Sequence, residues 1–291
     1  MKGSIELMRI IAVILITFTH TRHNIESGYF YFLFEKIPTY GTPVLSLISG
    51  YLFWNKTRYK HNIFNTKVAS LLIPYLIANT LVLVPVLIAN YLGFNYLNRL
   101  DYNYTLITEG ILSLNSPPIN PPTYFIRDIF ILFVMLELFL KRNFKMLLII
   151  IPILLFGKIF LRWDIVVMFL FGSLIANFEK HLKLSIAIQI FFGAFMYFKF
   201  PELLRFSIAG LIFSFLITIP ISMPKTGGFS YLLHLYHSPV IVFLFPIISI
   251  FTVEQITSVF IQVFVSIVLI GIFYVVTIKN NRLRILTGNR H

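Results

Sequence analysis

The feature that most limits what this chain can fold into is the recurrence of apolar runs separated by short polar breaks, from one end of the sequence to the other. A bilayer core about 30 Å thick is crossed by roughly 20 helical residues, and a soluble core has no use for so many runs of that length. Composition agrees, because 58% of the residues are apolar and 12% charged, with a mean hydropathy of +0.85, values foreign to soluble globular domains. The expected fold class is all-α, a polytopic transmembrane helix bundle of about ten helices that occupies residues 1–291 as a single transmembrane domain.

Ten candidate spans fall near 4–22, 38–54, 67–92, 124–140, 145–161, 164–178, 184–200, 203–221, 228–251 and 256–279. The first apolar run carries Arg9, ends on His20 and lacks a small-residue cleavage site, so it reads as a retained helix rather than a signal peptide. Pro74, Pro85, Pro152, Pro239 and Pro246 fall inside spans, where each removes a backbone donor that a neighbouring group must replace. With the N-terminus inside, fifteen Lys and Arg residues fall in inner segments, among them Lys2, Lys56, Arg58, Lys60, Lys67 and Lys180, against seven outside, Arg99 included. That bias favours an even number of spans with both termini cytoplasmic.

The chain has no cysteine, which excludes thiol nucleophiles, disulfides and Cys-ligated metals. Its net charge of +13 follows from the loop asymmetry, or from attraction of a polyphosphate donor, rather than from nucleic-acid binding.

Ionisable residues inside spans mark pathways or reaction sites. In the first span, Arg9 and His20 lie eleven residues apart, about three turns, and therefore share one helix face with roughly 16 Å between them. Glu6 is one turn before Arg9 and can neutralise it. A cation near one mouth of a channel and an imidazole deep within suit acid–base chemistry on a hydroxyl. The same spacing is met if Arg9 snorkels to the inner lipid surface and His20 caps the helix at the outer one.

Small residues at Ser49 and Gly50, followed by Tyr51, would let the second helix pack closely on the first, with the Ser49 and Tyr51 hydroxyls near the channel. Arg127 and Asp128 are adjacent, hence about 100° apart on a helix, and each is expected to find its partner on another helix. They form either a structural pair near the outer interface or, through Arg127, a hold on the acceptor or the acyl carbonyl. His234 and His237 share a face, but with no carboxylate or further His nearby in sequence no metal is expected. The long polar interruption 90–123, proline-rich at 116–122, reads as a lid, a binding loop or a strap.

Four segments resemble a known family. Glu6-Leu7-Met8-Arg9-Ile10-Ile11-Ala12 followed by His20, the small-residue segment 41–52 containing Ser49-Gly50-Tyr51, Pro122-Thr123-Tyr124-Phe125-Ile126-Arg127-Asp128, and Ser230-Tyr231 through His237-Ser238-Pro239 are together similar to the acyltransferase-3 family of membrane acyltransferases. The resemblance implies transfer of an acyl group, acetyl above all, from acyl-CoA to a hydroxyl of a cell-envelope glycan in the bacterial inner membrane. Arg9 and His20 would be the catalytic pair, with His20 as general base or covalent relay. Lys67, Arg58 and Lys56 would bind the donor, and Glu6, Ser49, Tyr51, Arg127, Asp128 and His237 would line the channel or meet the acceptor.

Two departures stand out. Lys67-Val68-Ala69-Ser70 occupies the place of the family's Arg-x-x-Arg at the third span, and His234 stands where a Tyr is frequent. No bound cofactor is expected; the partners are acyl-CoA, a glycan or lipid-linked saccharide and membrane lipids. No soluble domain follows the last span in the sequence as given, so the expectation is that transfer is completed in the membrane domain or with a partner. The competing reading is a transporter or flippase for a lipid-linked sugar, in which charged residues line a path without covalent chemistry.

Overall fold

The computed structural model describes residues 3–94, 100–251 and 254–290, and of Lys180 only the backbone. Lys2, Arg99 and the Lys180 side chain, used in the loop-charge comparison, therefore lie outside the described residues. Among the described residues there is no strand, and ten helices reach ten residues or more. They are α1 Gly3–Phe18, α2 Gly41–Asn55, α3 Ile63–Tyr91, α4 Tyr124–Lys141, α5 Leu147–Phe156, α6 Trp163–Asn177, α7 Leu182–Lys199, α8 Leu204–Leu216, α9 Gly227–Phe251 and α10 Gln255–Lys279. Each coincides with one of the ten expected spans.

Only four of them, α3, α7, α9 and α10, are long and apolar enough to cross a membrane by length and composition. Ten crossings therefore do not follow from helix length. The helices α1, α2, α6 and α8 have 16, 15, 15 and 13 residues, α5 has ten, and α4 carries Arg127, Asp128, Glu137 and Lys141 within its 18. Polar residues end the first helix early. In α1 the Thr19 and Thr21 hydroxyls donate to the Ile16 and Phe18 carbonyls at 2.7 and 2.8 Å, competing with the backbone ladder, so the helix stops at Phe18 instead of continuing to residue 22.

Lipid gives helices no hydrophobic reason to associate, so close contact and polar bonds between them hold the bundle together. The tightest crossing is α2 on α6. A β-carbon on Gly50 would stand 1.8 Å from the Phe169 carbonyl oxygen, and the Ser173 hydroxyl donates to the Gly50 carbonyl at 3.0 Å. Gly50 was expected to face the first helix. The residue that does so is Gly41, whose β-carbon would meet the Ala12 carbonyl oxygen at 2.5 Å. Nine residues separate Gly41 from Gly50, which is half a revolution in excess of whole turns, so one helix presents a glycine to each neighbour. On the periphery α7 is held to α8 by Gln189, which donates to the Ser214 hydroxyl at 2.9 Å and accepts from Ser207 through its carbonyl at 3.2 Å. The outward faces of α5, α7, α9 and α10 carry exposed Phe, Leu and Ile, as a lipid-facing surface must.

The segment before α4 is a strap. The Tyr75 hydroxyl donates to the Ile111 carbonyl at 2.6 Å, and Asn79 bonds both Thr123 and the Asn120 N–H. Asn120 in turn donates from Nδ2 to the Leu235 carbonyl at 2.7 Å. Leu235 is four residues before Pro239, so the helix supplies that carbonyl with no N–H, and the strap supplies one. Replacing Asn120 by Ala leaves the Leu235 carbonyl unpaired in the core, which costs about 1–3 kcal/mol. A lowered thermal midpoint in detergent is the expected result, and an unmoved midpoint would show that another donor serves this carbonyl.

Candidate active site

Glu6 organises one end of the bundle. Its carboxylate accepts from Arg9 Nη1 at 2.7 Å and from both the backbone N–H and the hydroxyl of Thr226, at 2.9 and 2.8 Å. Thr226 immediately precedes α9, so one buried carboxylate neutralises a cation of α1 and satisfies a donor at the start of α9, where the helix dipole also favours negative charge.

Beside this clamp opens a cavity of about 590 Å³. Arg9, Lys56, Lys60, Lys67, Lys225 and Arg290 line it, with Glu6 the one acid in its wall. Its middle is formed by Val13, Leu45, Ile48, Leu52, Phe125, Ile129 and Phe133, with Ser49, Ser230 and His234 as polar points. Ser49 lies in this wall, its hydroxyl donating to the Leu45 carbonyl at 2.9 Å. The Ser230 hydroxyl and both ring nitrogens of His234 are buried without a hydrogen-bond partner among the described residues. The Pro122 carbonyl stands near the His234 ring but outside hydrogen-bond geometry.

His20 does not line this cavity. It sits in the turn after α1, beyond two further imidazoles. The rings of His234 and His237 are 6.2 Å apart and those of His237 and His20 5.1 Å, so Arg9 and His20 are joined by a cavity followed by a row of rings rather than by one open channel. His237 is fully buried. Its Nδ1 stands 2.7 Å from the Leu233 carbonyl, which requires the proton on Nδ1 and leaves Nε2, without a hydrogen-bond partner among the described residues, as the basic nitrogen.

Several expected site residues are placed elsewhere. Arg58 stacks on Trp54, 3.8 Å from the ring centroid, and bonds Tyr59, outside the cavity that Lys56 and Lys67 reach. Tyr51 is two residues from Ser49 and so about 200° around α2; its hydroxyl donates to Glu179 at 2.9 Å, away from the cavity. Arg127 and Asp128 pair directly at 2.8 Å, contrary to the expectation that each would meet another helix. The long guanidinium folds back on its neighbour, and both groups turn to the loop between α5 and α6. Arg127 donates to the Lys158 and Ile159 carbonyls, and Asp128 accepts from the Leu161 and Arg162 N–H groups at 3.1 and 2.9 Å. Arg127 borders a second, apolar cavity of about 850 Å³ on the other side of α4, which shares Ile126 with the first.

Lys60 belongs to the basic second-to-third loop expected to meet the donor and lines the cavity with Lys56 and Lys67, but sequence reasoning had no means of bringing Lys225 and Arg290, from two distant segments, to the same wall. Glu137, whose carboxylate accepts from the Ile63 N–H at the start of α3, was likewise hidden among apolar neighbours. A model of the acyltransferase-3 family, described as an acyltransferase domain, matches residues 2–285. The chain belongs to this family. It is a membrane protein. It is also 29% identical over 145 residues to the succinoglycan biosynthesis protein ExoH of Rhizobium meliloti (strain 1021), an alignment spanning 44% of this chain and 39% of that relative, so less than half of the relative's length is matched. No solved structure matches the chain.

The Arg127–Asp128 pair of this family member is buried, and removing one partner of such a pair costs about 3–5 kcal/mol. Asp128→Asn is therefore expected to lower the thermal midpoint strongly and to expose the loop between α5 and α6 to protease. Wild-type stability in that variant would show that the pair is dispensable.

Proposed function

We propose that the enzyme transfers an acyl group, in the simplest case acetyl, from acyl-CoA to a hydroxyl of a cell-envelope glycan. It would work as a single transmembrane domain over 1–291 with ten crossings, both termini on the cytoplasmic side of a bacterial inner membrane. The observation that carries this reading is the cavity with six cations and one already engaged acid at its mouth, an apolar middle and, at its inner end, His234, whose ring nitrogens have no hydrogen-bond partner among the described residues. A donor with several phosphates on a long uncharged arm has that distribution of chemistry. Membership of the family supports acyl transfer, and the name of the ExoH relative supports a saccharide as acceptor.

In this reading Lys56, Lys60, Lys67 and Lys225 meet the phosphates of the donor, as point charges able to follow flexible oxygens. Arg9, held by Glu6, balances charge where the uncharged arm begins. The thioester lies towards the imidazole row, and the acceptor approaches from the end at which His20 stands. As the hydroxyl oxygen bonds to the acyl carbon its proton passes to His20, the carbon–sulfur bond breaks, and the leaving thiolate takes that proton back from His20 to depart as free CoA. A relay through acyl-His20 uses the same residues in two steps. Arg58, turned onto Trp54, has no part in this donor set, and the Arg127–Asp128 pair acts by fixing the loop.

The test is acyl transfer from radiolabelled acetyl-CoA to candidate glycans by the purified protein. Loss of a general base lowers turnover by about 10²–10⁴-fold, so His20→Ala is expected to fall to that level, and a variant that keeps wild-type turnover removes His20 from the reaction. Movement of a lipid-linked sugar without acyl incorporation would select the transporter instead. Lys67→Ala should weaken CoA binding by about tenfold, the scale of one charge-assisted contact; an unchanged Kd would take Lys67 out of the donor site.

A further inference from the structure

The family-like basic pair of the third span is incomplete here, because Lys67 is followed at the fourth place by Ser70. The structure fills that place from another part of the chain. After α10, a 3₁₀ segment Asn281–Thr287 begins where the Asn280 side chain accepts from the Arg282 N–H at 3.0 Å. It ends at Gly288 and Asn289, both left-handed, with φ of 62° and 57°, so the chain reverses and brings Arg290 back into the bundle. Gly288 lies against the Ser70 carbonyl, where a β-carbon would come within 2.5 Å; both the positive φ and the contact call for glycine there.

Arg290 Nη2 then donates to the Ser70 carbonyl at 3.3 Å, and its guanidinium lies on the Tyr231 ring, 3.7 Å from the centroid. Ser70 lies in the π-helical stretch Val68–Leu72 just ahead of Pro74, where the ordinary i→i+4 ladder is interrupted. Arg290 lines the same cavity as Lys67 and Arg9 and is close enough to feel both charges. Of these three cations, Arg9 has Glu6 as its counter-charge, while neither Lys67 nor Arg290 has a carboxylate within ion-pair distance among the described residues. Two cations with no counter-charge, beside the unpartnered Ser230 hydroxyl, make a place for an anion.

We propose that Arg290 is a donor-binding residue: with Lys67 it forms the paired cation for the phosphates of the CoA donor, standing in space where α3 offers only Ser70. The assignment rests on the acyl-CoA reading given above. It makes the segment after α10 part of the donor site and not a loose end, and it assigns the fork of a guanidinium to oxygens that a lysine alone meets as a point charge.

The experiment compares acetyl-CoA with acetyl-pantetheine, which has the same reacting group and no phosphate, as donors for the full-length wild type, Arg290→Gln, Arg290→Lys and Ser70→Arg/Arg290→Gln. Wild type should prefer acetyl-CoA through KM. In Arg290→Gln that preference is expected to fall by about 10- to 100-fold, the range for one charge-assisted hydrogen bond, with the change in KM for acetyl-CoA and not in kcat. The double variant, which puts an arginine back at the third-span position, should recover part of the preference, and Arg290→Lys, which keeps charge and stem and so preserves packing, should lie between wild type and Gln. An undiminished preference in Arg290→Gln overturns the proposal. So does an equal loss towards both donors in Arg290→Gln and Arg290→Lys, which would mean that the segment only shapes the bundle. A wild type that uses neither donor would instead overturn the acyl-CoA reading itself, and this assignment with it.

Discussion

The arrangement at the mouth of the bundle depends on the Glu6 carboxylate. One oxygen receives Arg9 from the same helix and Thr226 from the segment entering α9, so helices at opposite ends of the sequence are registered against each other by a single charge. Without it Arg9 would be a cation only 16% exposed and without a counter-charge, and the first turn of α9 would lose an anion where its N–H groups point. The geometry explains why Glu6 and Arg9 stand three residues apart: at that spacing they share a face, and that face is the cavity wall.

A second constraint runs through the bundle. In lipid every backbone carbonyl must find a donor, and proline withdraws one four residues upstream. The Leu235 carbonyl, orphaned by Pro239, is taken by Asn120 from the strap before α4, and the Ser70 carbonyl, in the π-helical stretch ahead of Pro74, accepts from Arg290 of the segment after α10. Prolines that look like defects in the helices thus act as attachment points for segments between and beyond them, and those attachments bring groups from distant parts of the chain to the site.

The helical bundle was legible in the sequence because apolar run length is a direct reading of the solvent, and all ten expected segments are helices. The number of crossings was not, because hydropathy averages over polar residues that end helices locally, as Thr19 and Thr21 do at α1. Periodicity placed Glu6, Arg9 and Ser49 on one wall, since each is fixed by spacing within its own helix. It could not say which way a second face looks. Gly50 and Tyr51 were read with the face that Ser49 presents, yet 100° and 200° of rotation turn them to α6 and to Glu179. The adjacent Arg127 and Asp128 were judged by Cβ directions, which neglects how far a guanidinium can bend back. Arg290 carried no signal beyond being one more basic residue in an inner segment; its place in the cavity wall depends on a chain reversal at Gly288 and Asn289 that composition does not announce.

Charge and base are segregated along the axis. The fixed cations gather where α9 begins, at the level of Arg9, Lys67 and Arg290, while the imidazoles of His234 and His237 lie seven and ten residues further along the same helix, about 10 and 15 Å away. Between them the wall is apolar apart from Ser49, Ser230 and Tyr231. A phosphate drawn into that stretch would have to shed its water in a low dielectric without compensating charge, which is costly, whereas an uncharged arm enters freely. Under the proposed function the cavity would therefore sort a ligand by its own charge distribution, holding anionic groups at the mouth and admitting a neutral reactive end. Such a site measures length as well as charge, because only a molecule whose uncharged arm spans the apolar stretch can engage the cations and reach the imidazole row at once.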